Sequence, residues 1–478
     1  MQSNGTQDNR MNITKAFALL AAVAVVSLVY AASHRYYNYL NVYIWFGLAY
    51  GMMLQYGRFC FASASRDLFA TGVPRMAVGI LIALAFFGVI QAVLKGMDMS
   101  TFHPAPFGIH TLIAGVIFGV GMTLAGGCAS GSLYKIGEGN GAAIVSILGI
   151  SFGQAFFVIA GGPLLSLIPQ EWKVVALNRP NFPTEKIHSW FDYYLTGYIF
   201  ELKSFQLSDL PFFAGLSGIW KYLIADTLVN VFLPATILMV LLYTGYMKKG
   251  FLKKRKKRGL PTTGIGVHLA GIWDMITSST RTSVMGVLIG ITAGLHIFVM
   301  KGMQNKFNIE NFGQLLTRMG HQGDVGALGG VFDPGYWYIT TQEAQFAGWI
   351  MEKLGMNMRD NIFYGVVNGL PALWRNPALW MSIGIILGAM ILALANREFK
   401  FKMPQGEMLV WPLIGGLLMG IGSRPALGCN IGAFFIRAAG GDPGGWIFGA
   451  GMVLGALAGV RFFNWWTERK MALEFGDL

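Results

Sequence analysis

Charge is scarce in this 478-residue chain: 12% of its residues are Asp, Glu, Lys or Arg, against roughly 25% in soluble domains. Cysteine is scarcer, with three in all. Three cysteines cannot be fully paired as disulfides. No C-x-x-C, C-x-x-C-H or H-E-x-x-H pattern occurs, so structural zinc, haem attachment and zinc-protease chemistry have no footing. No G-x-x-x-x-G-K-[ST] loop occurs either, which argues against direct use of ATP. The reading is of a chain with no catalytic set, no metal site and no cofactor.

What the chain has instead is apolar length. Hydrophobic residues make up 54% of it and glycines number 64, a composition suited to close helix packing and to helices that break within a bilayer. Several apolar runs approach the ~20 residues that cross a membrane. The expected fold is all-α and polytopic, with about ten membrane segments near 16–33, 42–57, 76–94, 108–125, 141–167, 213–246, 281–300, 377–395, 409–424 and 444–462. The first run, after Lys15, has some features of a signal peptide, but its length favours a membrane helix. The stretch 260–280, with Asp274 inside it, reads as lying along the surface.

The net charge of +13 is concentrated in "MKKGFLKKRKKR", 247–258, which holds eight Lys or Arg and no acid. Such a run beside a membrane segment marks the cytoplasmic side rather than a nucleic-acid site. With the N-terminus in the cytoplasm, the loops bearing Arg58, Arg66 and Arg75, then Lys135, then 247–258, then Arg397, Lys400 and Lys402, and finally the tail with Arg461, Arg469 and Lys470, all fall inside. The long connections 168–212 and 301–376 fall outside, with four basic and five acidic residues and six of each. Both termini are therefore expected in the cytoplasm.

Two of the cysteines occupy matching points of a repeat. Aligning Leu112–Asn140 with Leu413–Gly441, an offset of 301, gives ten identities, among them Gly127/Gly428, Cys128/Cys429 and Gly131/Gly432. In the expected topology one copy enters from outside and the other from inside. Inverted repeats of this kind frame the midplane substrate sites of transporters. The shared frame G-C-x-x-G suggests a broken or re-entrant helix, with a thiol, backbone amides, and a hydroxyl (Ser130) or side-chain amide (Asn430) along a path. A lone membrane cysteine ordinarily packs as a small hydrophobe; placement at equivalent breaks favours function for Cys128 and Cys429. Cys60, in "QYGRFCFASASRD", sits between Arg58 and Arg66 and reads as the most exposed of the three. Arg424, five residues before Cys429, is a further path candidate. Glu138 and Asp442 are expected to pair with Lys135 and Arg437.

The motifs "GRFCFASASRD", "GMTLAGGCASG" and "GIGSRPALGCNIG" resemble those of the YeeE/YedE sulfur-transport family of bacterial inner-membrane proteins, over residues 42–160 and 281–462. The resemblance implies an hourglass of inverted repeats that takes up thiosulfate. It also implies that Cys429, Cys128 and Cys60 pass the anion inward through S–H···S hydrogen bonds, without a permanent cation to trap it. Path residues Gly127, Ser130, Gly131, Gly428, Asn430, Gly432 and Arg424 accompany them. Neutral thiols suit this task, since conduction needs weak, multiple sites, and a thiolate would repel a dianion.

Other readings stay open at this stage. The substrate could be a selenium compound or another sulfur oxyanion. The chain could be a membrane sulfurtransferase or thiol redox enzyme with a persulfide on Cys60. It could also be a scaffold that recruits a cytosolic sulfur-carrier protein to its basic face. The expected organisation is 1–41, cytoplasmic tail and first membrane helix; 42–167, first transport repeat; 168–212, outer-side insertion; 213–280, membrane helix and basic cytoplasmic loop; 281–300 with 377–462, second transport repeat; 301–376, outer-side insertion; and 463–478, cytoplasmic tail.

Overall fold

The computed structural model describes residues 2–105, 107–160, 169–171, 204–309, 312–320, 339–356 and 372–475. Most of the expected connection 168–212, and parts of 301–376, lie outside these residues. Among the described residues the chain is helical, with no strand beyond one isolated bridge between Asn140 and Lys402. The helices used below are α1 (Gln2–Ser33), α2 (Asn38–Gly57), α3 (Phe61–Thr71), α4 (Arg75–Gly96), α5 (Ile109–Leu124), α6 (Ala129–Gly137) and α7 (Gly141–Ile159). Then follow α8 (Gly218–Lys257), α9 (Ile265–Thr277), α10 (Thr280–Phe307), α11 (Phe312–Arg318) and α12 (Thr340–Lys353). The last are α13 (Pro377–Ala395), α14 (Val410–Ser423), α15 (430–439) and α16 (Gly444–Phe475). Each of the ten expected membrane segments overlaps one of these helices, with residues 161–167 of the fifth outside the described ones. Six helical stretches are long and apolar enough to span a bilayer, including Asn12–Ser33 within α1 and Ile109–Gly137, which joins α5 and α6. The protein is an all-α, multi-pass membrane protein.

Close glycine contacts fix how the helices run. Along α5 and α14, the two copies of the repeat, Gly121 meets Gly415 and Met419, while Gly422 meets Ala114 and Phe118. Rising numbers on one helix meet falling numbers on the other, so the copies cross antiparallel. Non-equivalent helices of the two copies pair in parallel: on α2 and α13, Gly47 faces the carbonyl of Met381 and Gly51 that of Ile385. A side chain at these glycines would strike a neighbouring backbone, which explains why small residues line the seams.

The whole packing scheme follows the same exchange. α5 packs on α16 as α14 packs on α7, and α4 packs on α10 as α13 packs on α2. Each helix of one repeat thus takes the place of its counterpart in the other. α3 lies against α16, and α12 lies against α7. The stretch 301–376, taken from the sequence to be an insertion, therefore contributes a helix that answers to α3. One buried apolar cluster runs through both copies and contains all three cysteines.

Two further elements brace the bundle. α8 is wound as a π-helix over Leu223–Phe232, just before Pro234. Proline lacks an N–H to donate and perturbs the turn that precedes it. The carbonyl of Asn230 in this widened stretch accepts from the Trp446 indole at 2.6 Å, and the Asn230 amide donates to the carbonyl of Ala438 at 2.8 Å. α9 exposes Ile265, Leu269 and Trp273, one apolar stripe at four-residue spacing. That pattern suits a helix lying at a membrane surface.

Candidate functional site

The two G-C-x-x-G frames form two equivalent breaks. Gly126 (φ 67°) and Leu427 (φ 56°) stand at the same repeat position, and both adopt the left-handed conformation. Each is followed, two residues on, by a cysteine with extended backbone that caps a short helix: Cys128 before α6 and Cys429 before α15. α15 is π-wound over Asn430–Ile436. The helices do break where the repeat placed its cysteines, and the broken backbone is enclosed by protein, the condition under which a membrane tolerates it.

At the first break the structure joins two cysteines that are far apart in sequence. Cys60 caps the start of α3, and its sulfur lies 3.6 Å from that of Cys128. The Gly131 amide donates to the Cys128 sulfur at 3.3 Å, and the Ser130 hydroxyl is 3.6 Å from it. Gly131 is required here. A Cβ at this position would collide with the Cys60 sulfur and stand 3.1 Å from that of Cys128. All three cysteines are free and buried, with Cys60 at 0% exposure. The expectation that Cys60 is the most exposed is therefore corrected: its side chain packs against Cys128 and Gly131 at the start of α6, which cover it.

The arginines flanking Cys60 point elsewhere. Arg58 makes ion pairs with Glu138 at 2.6 Å and Glu398 at 2.9 Å, and Gln55 also donates to Glu398. Arg66 pairs with its neighbour Asp67. Glu138 thus pairs with Arg58, not Lys135 as expected, because Lys135 turns back to donate to the Gly126 carbonyl and cap the break. Burial pushes the Glu138 carboxyl above its ordinary range, and Arg58 opposes that shift. Asp442 does pair with Arg437, at 2.7 Å. A cavity of about 440 Å3 reaches Ala62 and Gly127, the neighbours of the two thiols, and carries Arg66 and Lys135 in its wall.

The second break has a different chemistry. Cys429 is 1% exposed and has no thiol beside it among the described residues. The amides of Gly432, Ile431 and Thr340 face its sulfur. Thr340 opens α12, so this contact was beyond sequence reasoning, which saw 301–376 as outside the repeat. Asn430 is fully buried, and neither its amide nitrogen nor its oxygen has a partner. Buried polar groups are ordinarily satisfied, and an orphaned side-chain amide costs ~1–3 kcal/mol. Gly428 brings the backbone close to the amide of Ala433, and Gly432 is buried one turn on. Arg424 is also buried, at 4% exposure, at the end of α14.

Between the breaks lies a narrow septum. Ser130 from the first copy and Ile431 from the second, equivalent residues, line it together with Leu54, Phe59, Phe61 and Phe435. Its cavity is about 10 Å3, at the lower limit for holding one water. Phe61 also meets Phe434 edge-on, with ring centroids 5.9 Å apart. These aromatic residues carried no signal in the sequence; only the crossing of α3 with α15 brings them to the middle.

Antiparallel copies, two enclosed helix breaks and a narrow apolar septum define a membrane transporter built from inverted repeats. The family described as sulphur transport matches residues 56–201 and 218–458, and the chain belongs to it. Among similar proteins are two named thiosulfate transporter TsuA. The one from Spirochaeta thermophila is 25% identical over 397 residues, 82% of this chain and 90% of its own length. The one from Escherichia coli is 26% identical over 433 residues, 89% of this chain and 95% of its own. A probable transporter, YedE of Escherichia coli, is 34% identical over 103 residues, 21% of this chain and 25% of its own.

Proposed function

We propose that this chain carries a small sulfur-containing anion, thiosulfate first, inward across the bacterial inner membrane, with both termini in the cytoplasm. Cys429, Cys128 and Cys60 are its successive contact sites. The observation that carries this reading is the pairing of thiols across the first break, at 3.6 Å. Two neutral thiols in contact offer S–H donors to a soft sulfur atom without the fixed cation that would hold a dianion too tightly. Ser130 supplies a hydroxyl on one side of the septum, and the orphaned amide of Asn430 supplies a donor and acceptor on the other. Gly127, Gly131, Gly428 and Gly432 leave the path narrow and free of side chains, and Arg424 draws the anion toward Cys429. No cofactor, metal or catalytic residue enters this cycle, so the chain acts as a transporter and not an enzyme. The exposed basic end of α8, residues 247–258, is the face assigned to a cytosolic sulfur-carrier protein.

The test is uptake of labelled thiosulfate by cells lacking their own importers, comparing wild type with Cys60→Ala, Cys128→Ala and Cys429→Ala at matched expression. Uptake by wild type that is lost in the cysteine variants is the expected result. Full uptake by all three variants would make the cysteines packing residues. No uptake by a folded wild-type chain would remove thiosulfate as the substrate.

A further inference from the structure

Buried charges in this fold come in pairs. Lys95 meets Asp226 at 2.7 Å, and Arg437 meets Asp442 at 2.7 Å. Glu343 breaks the pattern. It lies on α12, one turn beyond Thr340, and is 3% exposed. One carboxyl oxygen accepts a hydrogen bond from the Ser382 hydroxyl of α13 at 2.8 Å, and the other, Oε2, has no partner. No ion pair reaches it from Arg424. Among the described residues the helices packed most closely on α12 are α7, α13 and α14. α7 and α13 carry no titratable side chain, and α14 contributes Arg424 at its end. Among the described residues the remaining titratable group facing this site is the Cys429 thiol, which lies within electrostatic reach of Glu343. Asn376 and Gln345, hydrogen-bonded at 2.7 Å, extend the same buried polar cluster.

A carboxyl group placed this way is a poor structural element. Among the described residues it has no counter-charge as an anion, and as an acid its free oxygen has a proton to donate and nothing to receive it. A titratable group inside a membrane protein is a functional candidate for that reason. Its neighbour supplies the function. A dianion arriving beside Cys429 repels a carboxylate, so anion binding favours proton binding at Glu343. By linkage the proton favours the anion to the same degree. Uptake also needs such help: an inside-negative potential of 100 mV opposes a dianion by on the order of 10^3 in equilibrium ratio.

We propose that Glu343 is the proton site of the transport cycle: Oε2 takes a proton from the outer side as the anion enters beside Cys429, and releases it to the cytoplasmic side after the anion has crossed the septum. One proton accompanies each anion, so a dianion crosses with one net negative charge. This rests on the anion-transport reading above and adds its energy source.

The experiment uses the purified full chain in liposomes, with labelled thiosulfate, a lumenal pH dye, and the potential clamped at zero by valinomycin and equal potassium. Two fluxes are measured: thiosulfate counterflow, which needs no proton gradient, and accumulation driven by an acid exterior. Wild type should show both, with lumenal acidification, and up to about tenfold accumulation per unit of pH difference. Glu343→Gln should keep counterflow and lose both the accumulation and the acidification. Wild type that shows counterflow but neither accumulation nor lumenal acidification under an acid exterior would overturn the proton site alone. So would a Glu343→Gln chain that still accumulates, or loss of counterflow in both Glu343→Gln and Glu343→Asp, which would make Glu343 structural. Absence of wild-type counterflow would overturn the thiosulfate reading, and the proton site with it.

Discussion

Gly131→Ala adds one methyl group to the wall of the thiol pair, and the geometry sets its consequences. The new Cβ would overlap the Cys60 sulfur and press on that of Cys128 from 3.1 Å. Ordinary contact needs about 3.5–4.0 Å, so the Cys60 thiol must retreat by roughly 1 Å or more. The two sulfurs already stand at 3.6 Å, within reach of a hydrogen bond; a retreat of that size ends it. Two effects compete in stability. Alanine improves α6 as a helix by ~0.5–1 kcal/mol, whereas overpacking a filled site costs ~1–3 kcal/mol. The balance is a loss of about 1 kcal/mol, small enough for the chain to fold. Uptake should fall by about tenfold, the factor that corresponds to a lost interaction of ~1.4 kcal/mol. A double-mutant comparison isolates the cause: in a Cys60→Ala background most of the clash is gone, so Gly131→Ala should lower the melting temperature less than in wild type. Wild-type uptake by a folded Gly131→Ala chain would refute the reasoning. So would a stability loss that is the same with and without the Cys60 sulfur.

Three further predictions address the other parts of the site. Mild oxidation should link Cys60 to Cys128 and leave Cys429 free to alkylate after denaturation; mass spectrometry of the peptides checks the pairing, and uptake should stop and return with reductant. Asn430→Leu removes a buried amide that has no partner, so thermal stability should hold or rise while uptake falls; a marked loss of stability would show that the amide is satisfied within the fold. Lys95→Met strands Asp226, whose carboxylate is buried and also accepts from the Ser208 amide and hydroxyl, and should cost ~3–5 kcal/mol by thermal unfolding, with Lys95→Met/Asp226→Leu recovering much of it.

The repeat was legible because its signal is local and doubled. Ten identities at one offset, ending in cysteines at helix breaks, required no knowledge of contacts. The apolar periods of the ten segments were legible for the same reason. What the sequence concealed depends on contacts between distant residues. Lys135 is three residues from Glu138 and reads as its partner, yet Arg58 takes that place from 80 residues away in sequence, because Lys135 is used to cap the break. The burial of Cys60 follows from its packing against Cys128, 68 residues away in sequence, and Gly131, which no local pattern announces. α12 escaped notice for a further reason. It answers to α3 in its packing on α7, but the 301-residue spacing that relates α4 to α13 and α5 to α14 does not relate these two, and no cysteine marks its start.

The departures from symmetry carry the functional argument. α3 and α12 are counterparts, and the residues that precede them are Cys60 and Ile339. Ser130 and Ile431 are counterparts, as are Ala129 and Asn430. Packing alone would let each pair remain alike, since both copies bury the same surfaces against each other. Instead one break gains a second thiol and a hydroxyl. The other gains an orphaned amide and, a turn into α12, an acid without a cation. A passage with two identical ends would bind an anion equally well on both sides of the septum and leave the direction of flow to concentration alone. Unequal ends give the anion different partners before and after it crosses. If the acid near Cys429 binds a proton only while that side is occupied, the asymmetry ties the anion's movement to the proton gradient. Exchanging the two chemistries tests this: Asn430→Ala with Glu343→Gln brings the second break closer to the first, and counterflow, though lowered by loss of the amide, should then persist while accumulation driven by an acid exterior disappears. Accumulation that survives the exchange would place the coupling elsewhere in the bundle.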